Sequence, residues 1–230
     1  MTQIVYYGFE DNVLGHELEP LDSYIKREVL KDSGTNILAC PAFKDHNKNV
    51  FVVKSTYQYG IEWDGTNIVS PYYNQKCFND WVICRSIDKA FLSFRPPNIS
   101  FMSESDSLKM SQEHAYFHDN DITNKCYTIC GTYDIGKHLL RPLELVIKFK
   151  QPGYVKINEG DALYYVKFHT NEDIILKKFI YSQELFDLTT SQLLVRKYTK
   201  NFKDLQWWYD LVSRNNLKKY YLNKIKQELL

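Results

Sequence analysis

The sequence contains no run of roughly 18 apolar residues, the length at which a stretch reads as a membrane-spanning helix. Its opening residues, MTQIVYYGFEDNV, hold neither a basic n-region nor an apolar h-region, so no signal peptide is expected and the chain reads as soluble and cytosolic, without a membrane partner. The 9 glycines are scattered among 230 residues, which excludes a glycine-rich phosphate cradle. Neither GxxxxGK before Ser or Thr, nor GxGxxG after a strand, nor GxSxG occurs, and nucleotide-dependent transfer and serine hydrolysis lose their usual marks. The 5 cysteines (Cys40, Cys77, Cys84, Cys126, Cys130) are odd in number and irregularly spaced in a chain large enough to bury its own core. Free thiols are therefore expected, rather than a disulfide framework or a zinc knuckle.

What the chain does have is β-forming sequence. Val50 to Tyr57 and Tyr59 to Trp63 are rich in β-branched and aromatic residues, and the second runs into Asp64-Gly65, a pair suited to a tight hairpin turn, with NIVSPYY returning. Trp81 to Ile87, Ala90 to Phe94, Ile99 to Met102, Lys125 to Tyr133 and Leu143 to Phe149 read likewise, with Pro96-Pro97 breaking regular structure between two of them. A second hairpin is expected where Tyr154 to Asn158 meets Glu159-Gly160-Asp161 and returns as Ala162 to His169, followed by Ile174 to Tyr181. Strands this close together, without a helix between each pair, point to a mainly β (α+β) fold: an antiparallel sandwich or barrel with a C-terminal helical pair.

Helices are expected at the ends. Pro20 to Lys31 places Leu21, Tyr24, Ile25 and Val29 at helical spacing, and Ser182 opens a run to Tyr198. Beyond it, Leu205, Trp208, Leu211, Val212, Tyr221, Leu222, Ile225 and Leu229 fall near one face, interrupted at Asn215 and Lys218. The organisation is then an N-terminal segment with a short helix (1–34), a β domain (35–181) and C-terminal helices (182–230). Charge is unevenly divided. Residues 196–226 carry nine basic against two acidic residues, a net +7, so the rest carries −6 of the overall +1. A basic helical face of this kind, with Lys218, Lys219 and Lys224 at its centre, is either simply solvated or meets an acidic partner, with nucleic acid the less favoured partner.

Among the six histidines only His114 and His118 are close, in SQEHAYFHDND. One helical turn or strand face could offer both imidazoles to iron or zinc with Asp119 or Asp121, and His169 could join them in space. The HxD and HExxH signatures are missing, so the preferred reading is a polar loop without cofactor, and a small cupin-like metalloenzyme or oxygenase is the alternative. The 18 tyrosines include the doublets Tyr72-Tyr73, Tyr164-Tyr165 and Tyr220-Tyr221, residues that suit strands and protein interfaces as well as base stacking.

At GTYDIGKHLLRPLELVIKF (Gly131 to Phe149) and INEGDALYYVKFHT (Ile157 to Thr170), together with ILACPAFKDHNKNVFVVKS (Ile37 to Ser55), the chain resembles uncharacterised proteins of marine T4-like tailed phages, especially those infecting cyanobacteria. The resemblance implies a protein made in the cytoplasm of an infected bacterial host, or carried in the virion, with no family activity attached. Gly160-Asp161 before a hydrophobic strand is locally similar to a hairpin of the dUTPase and dCTP-deaminase β-clip group. The chain lacks that group's serine-glycine phosphate motif and glycine-rich C-terminal arm, so the likeness implies only architecture, a β-clip-like barrel as the alternative to the sandwich. The expected function is that of a phage accessory or virion-associated protein that binds another phage or host protein, no catalytic motif being found.

Overall fold

Thr2–Phe9 (β1) is a strand the sequence did not announce, because its Val5, Tyr6, Tyr7 and Phe9 are buried on both faces and leave no alternation to read. The computed structural model describes residues 2–10, 16–30, 39–137, 140, 142–198, 207 and 216–230. After β1 come Glu19–Pro20 (β2), Leu21–Tyr24 (α1) with a π-helical turn over Ile25–Val29, Pro41–Asn47 (α2), Val50–Lys54 (β3), Tyr59–Trp63 (β4) and Ile68–Val69 (β5). Gln75–Trp81 (α3), Val82–Cys84 (β6), Phe91–Phe94 (β7), Ile99–Ser103 (β8), Lys109–Glu113 (β9), Asp121–Lys125 (α4) and Cys126–Thr128 (β10) follow. The remainder is Gly131–Asp134 (β11), Leu145–Phe149 (β12), Gly153–Ile157 (β13), Ala162–Phe168 (β14), Asp173–Lys178 (β15), Gln183–Tyr198 (α5) and Leu217–Gln227 (α6). The helical stripe expected through Leu205, Trp208, Leu211 and Val212 lies outside the described residues.

The fold is mainly β with mostly antiparallel pairing. The strands form four sheets, ordered β15-β1-β8, β10-β12-β7-β6, β11-β9-β14-β3-β2 and β13-β4-β5, and among the described residues none closes into a barrel. Among the described residues only β1 and β15 pair in parallel. No helix among the described residues is long and apolar enough to cross a membrane.

Two expectations are corrected by the pairing. The Asp64-Gly65 turn does join a hairpin, with Trp63 opposite Ile68 and Gly65 at φ +102°. Glu159-Gly160-Asp161 does not: β13 pairs with β4 while β14 pairs with β3 and β9. The chain turns a corner there and carries on. Strands β3 and β4 turn the same corner alongside, tied by Ser55 N–H to the Asp161 carbonyl (2.8 Å) and Gly160 N–H to the Ser55 carbonyl (2.9 Å). A bent two-stranded ribbon thus spans two sheets, and the glycine that would mark a hairpin marks the bend. Lys125 to Tyr133, expected as one strand, is α4's last residue and then β10 and β11, which belong to different sheets.

Three apolar clusters hold the layers. The main one gathers the inner faces of the sheets, including Ile61, Leu92, Phe94, Ile147, Val155 and Phe168. A second lies under α1, where Leu21 and Ile25 meet Val50, Val52 and Tyr165. Because Val50 and Val52 face α1 while Phe51 and Val53 face the main core, β3 is buried on both sides. The third joins Tyr6, Met102 and Phe179 to Leu185 of α5 and to Tyr221 and Ile225 of α6.

Candidate functional site

The loop after β9 was the sequence's best candidate for chemistry, and the structure places its members apart. His114 to Asp119 form no helix; Tyr116 N–H bonds to the His114 carbonyl and His118 N–H to the Ala115 carbonyl, each at 3.0 Å, in a tight turn pinned by the fully buried Ala115. The His114 Nδ1 lies 3.1 Å from the Thr128 Oγ1 of β10. The His118 ring points the other way, stacking on Tyr24 with centroids 3.8 Å apart and with Nδ1 2.8 Å from the Tyr165 hydroxyl. Burial, and then Lys54, hold the His118 imidazole down at about 4, while burial followed by Lys150 lowers that of His114.

The carboxylates are occupied locally. Asp119 accepts from Asn124 Nδ2 at 2.6 Å. Asp121 accepts from the Lys156 N–H at 2.8 Å and pairs with Lys125 at 2.9 Å, just after the capping box that Asn120 and Thr123 make at the start of α4. His169 ends β14 at the exposed rim, its N–H bonded to the Lys109 carbonyl (2.9 Å). Among the described residues no three His, Cys, Asp or Glu side chains gather in a way that could hold a metal ion. The thiols do not supply one either: all five are free, Cys126 is buried with its thiol pushed up to about 12, and the other four are exposed.

The basic residues singled out in α6 are largely spent on the chain itself. Lys218, only 13% exposed, donates to the carbonyls of Glu104 and Ser105 (3.2 and 3.1 Å) and pairs with Asp106 at 2.6 Å. Lys224 pairs with Glu184 of α5 at 2.8 Å and lies over the Tyr220 ring. Lys226 pairs with Glu104 at 2.7 Å, whereas Lys219 is exposed.

A different surface carries concentrated recognition chemistry. Strands β13, β4 and β5 turn Val155, Ile157, Tyr59, Ile61, Trp63 and Ile68 inward, so Tyr154, Lys156, Gly60, Glu62 and Val69 share the outward face, with Tyr154 opposite Glu62 and Glu62 opposite Val69. Over Gly60 lies Tyr72, 48% exposed, whose hydroxyl meets that of Tyr154 at 3.1 Å and accepts from Gln58 Nε2 at 3.3 Å. A Cβ at Gly60 would stand 2.6 Å from the Tyr154 hydroxyl and 2.8 Å from the Tyr72 ring, so glycine is what lets both phenols approach the strand this closely. Behind them Tyr73 packs edge-on against Trp81 (4.6 Å) and fixes the loop by bonding to the Gln58 carbonyl (3.1 Å). The donation from Tyr154, then that from Gln58, lowers the Tyr72 phenol, while burial and the bond to Tyr72 push Tyr154 up to about 12.

The Tyr72-Tyr73 doublet and the strands expected at Tyr59 to Trp63 and Tyr154 to Asn158 were the sequence signals for this face. The other doublets went elsewhere: Tyr164 and Tyr165 are buried in the core, and Tyr220 bonds to Glu184 at 2.6 Å beside the buried Tyr221. Comparison of the chain with protein-family models, curated proteins and solved structures gives no match.

Proposed function

We propose that the chain is a binding protein that docks another protein on the Tyr72–Tyr154 face. The observation that carries this reading is the pair of hydroxyl-linked tyrosines seated on Gly60 and flanked by Val69, Glu62 and Lys156. Tyrosines held by packing lose little conformational freedom on binding and supply large amphipathic contact area, which is why they concentrate at interface centres. The bordering charges have both signs, Glu62 against Lys156 and Asp121 against Lys125, which suits a protein surface better than the uniformly negative backbone of a nucleic acid. The resemblance to tailed-phage proteins makes the partner another phage or host protein and the role an accessory or virion-associated one. The metalloenzyme alternative finds no support in the geometry, since His114 and His118 serve different neighbours.

The test is a photo-crosslinking residue at Val69 of the tyrosine face and, separately, at the exposed Ile175 of β15. A partner captured through position 69, purified and titrated, should bind Tyr72→Ala at least about tenfold more weakly than the native chain, the loss expected of a central aromatic. Equal crosslinking at both positions, or unchanged affinity in the variant, overturns the reading.

A further inference from the structure

On the outer face of the β10-β12-β7-β6 sheet, opposite the core-facing Leu92, Phe94, Leu145 and Ile147, a cavity of about 280 Å³ is roofed by β9, β11 and the Pro142-Leu143 segment. Its body is apolar, walled by Phe91, Phe101, Met110, Ile135 and Val146. Among the described residues its polar end is formed by the Arg85–Glu144 ion pair with Ser93 and Tyr133 beside it. Arg85 Nη2 meets Glu144 Oε2 at 3.0 Å, and Arg85 Nε donates to the buried Ser93 hydroxyl at 2.8 Å. Both members are partly open to solvent, with side chains 42% and 23% exposed.

These contacts engage one edge of each charged group. Among the described residues Arg85 keeps its Nη1 donors, Ser93 keeps its own proton to donate, and Glu144 keeps Oε1 as an acceptor. A lone anion drawn to Arg85 would meet the Glu144 carboxylate, and a lone cation drawn to Glu144 would meet the guanidinium. A molecule carrying an anionic and a cationic group on one carbon matches both free edges at once. The volume lies just under the ~300 Å³ at which pockets for drug-sized ligands begin, so the apolar body takes one compact hydrophobic group.

We propose that this cavity binds a free α-amino acid with an apolar side chain, its carboxylate on Arg85 and Ser93, its ammonium on Glu144, and its side chain among Phe91, Phe101 and Met110. The site is separate from the tyrosine face, and its described lining offers charge recognition and an apolar seat, which suits capture of the amino acid. It gives the chain a sensor or carrier function alongside protein docking.

Methionine-methyl NMR on the intact chain decides the matter, because Met110 lines the cavity while Met102 sits in the cluster under α5 and α6. L-leucine or L-phenylalanine should move the Met110 signal saturably and leave Met102 in place. The half-ligands 4-methylpentanoate, which lacks the ammonium, and 3-methylbutylamine, which lacks the carboxylate, should each bind at least about tenfold more weakly than leucine. Arg85→Gln and Glu144→Gln should each weaken leucine binding to a similar extent; if either fails to fold, the half-ligand comparison on the native chain stands by itself. A Met110 signal unmoved by about 10 mM amino acid, a molecule weaker than millimolar affinity being no ligand, overturns the proposal. Equal binding of leucine and its half-ligands does so too.

Discussion

Lys218 of α6 reaches across to the β8–β9 connection and pairs with Asp106 at 2.6 Å, while two carbonyls of the same loop accept from its ammonium. A lysine that reads in sequence as part of a partner-seeking basic face is thus a clamp between the C-terminal helix and the β sheets. Lys218→Glu would set a carboxylate against Asp106 and both carbonyls, and a loss of roughly 1.5 to 3 kcal/mol in urea unfolding is expected. Lys219→Glu, on the exposed side of the same turn, should stay within about 0.5 kcal/mol of the native chain. Equal effects would remove the clamp. Charge reversal at Lys218 is for the same reason a poor probe of nucleic-acid binding, because it changes the fold's stability along with its charge.

The second prediction concerns acid. Tyr165 accepts from the Phe117 N–H (3.1 Å) and shares a 2.8 Å hydrogen bond with the Nδ1 of His118, whose Nε2 is buried with no hydrogen-bond partner among the described residues. The ring is thus held neutral, at about 4 instead of the ordinary 6.5. An unfolded His118 binds a proton below 6.5 and the folded one does not, so stability present above pH 6.5 is lost as pH falls toward 4. His114, shifted the same way, adds to the loss. With allowance for solvent screening of a half-buried ring, His118 should account for on the order of 2 kcal/mol between pH 7 and pH 4.5. His118→Gln should flatten that part of the urea-stability profile; a native profile already flat across this range would show that the ring is solvated.

Much of the sheet structure was legible and its connectivity was not, for a physical reason. The expected strands at Tyr59 to Trp63, Ala90 to Phe94 and Leu143 to Phe149 recur within two residues, since β-branched and aromatic composition reports burial on a pleated surface directly. Composition carries no record of the partner. Glu159-Gly160-Asp161 has the chemistry of a reversal, yet Gly160 at φ +85° serves a bend, because Ser55 from a distant strand takes the bonds a hairpin would have made locally. Short helices such as Gln75–Trp81, where Asn74 caps the Cys77 N–H at 3.0 Å, are too brief to show a period. The histidine pair was legible as residues but not as geometry: four residues apart meant one face only had the loop been helical. The tyrosine face depended on strands 90 residues apart in sequence, and the Arg85–Glu144 pair on a contact between residues 59 apart, which one sequence cannot reveal.

A third prediction tests close approach. A Cβ on Gly8 would lie 2.7 Å from two ring carbons of the buried Phe179, and one on Gly136 would lie 2.5 to 2.6 Å from the backbone of Ser105 and Asp106. A ring can tilt within its cluster, whereas main chain on both sides has to be displaced. Gly8→Ala should therefore cost about 1 to 3 kcal/mol, the usual range for overpacking, and Gly136→Ala more than that. The reverse order in thermal or urea unfolding would mean that the Asp106 loop yields more easily than the core under α5 and α6.

The last prediction concerns α6 as a structural element. Tyr221 and Ile225 lie four residues apart on one face and are 1% and 0% exposed, meeting Tyr6, Met102 and Phe179 of the sheets and Leu185 of α5. The chain end then closes back on β15: Phe179 bridges to Leu229, Ile180 N–H bonds to the Glu228 carbonyl at 3.0 Å, and Leu230 N–H to that of Lys178 at 3.1 Å. Ile225→Ala removes buried methylenes and leaves a cavity, so about 2 to 5 kcal/mol should be lost, and Tyr221→Ala about 3 to 5 kcal/mol. Removing residues 217–230 altogether would uncover the apolar faces of Tyr6, Phe179 and Leu185 together, and the shortened chain should aggregate or melt well below the native one. Lys219→Glu, on the opposite face, provides the comparison that separates lost packing from lost charge. A shortened chain that stays monomeric with an unchanged Tm would establish α6 as an appended arm and the β sheets as self-sufficient.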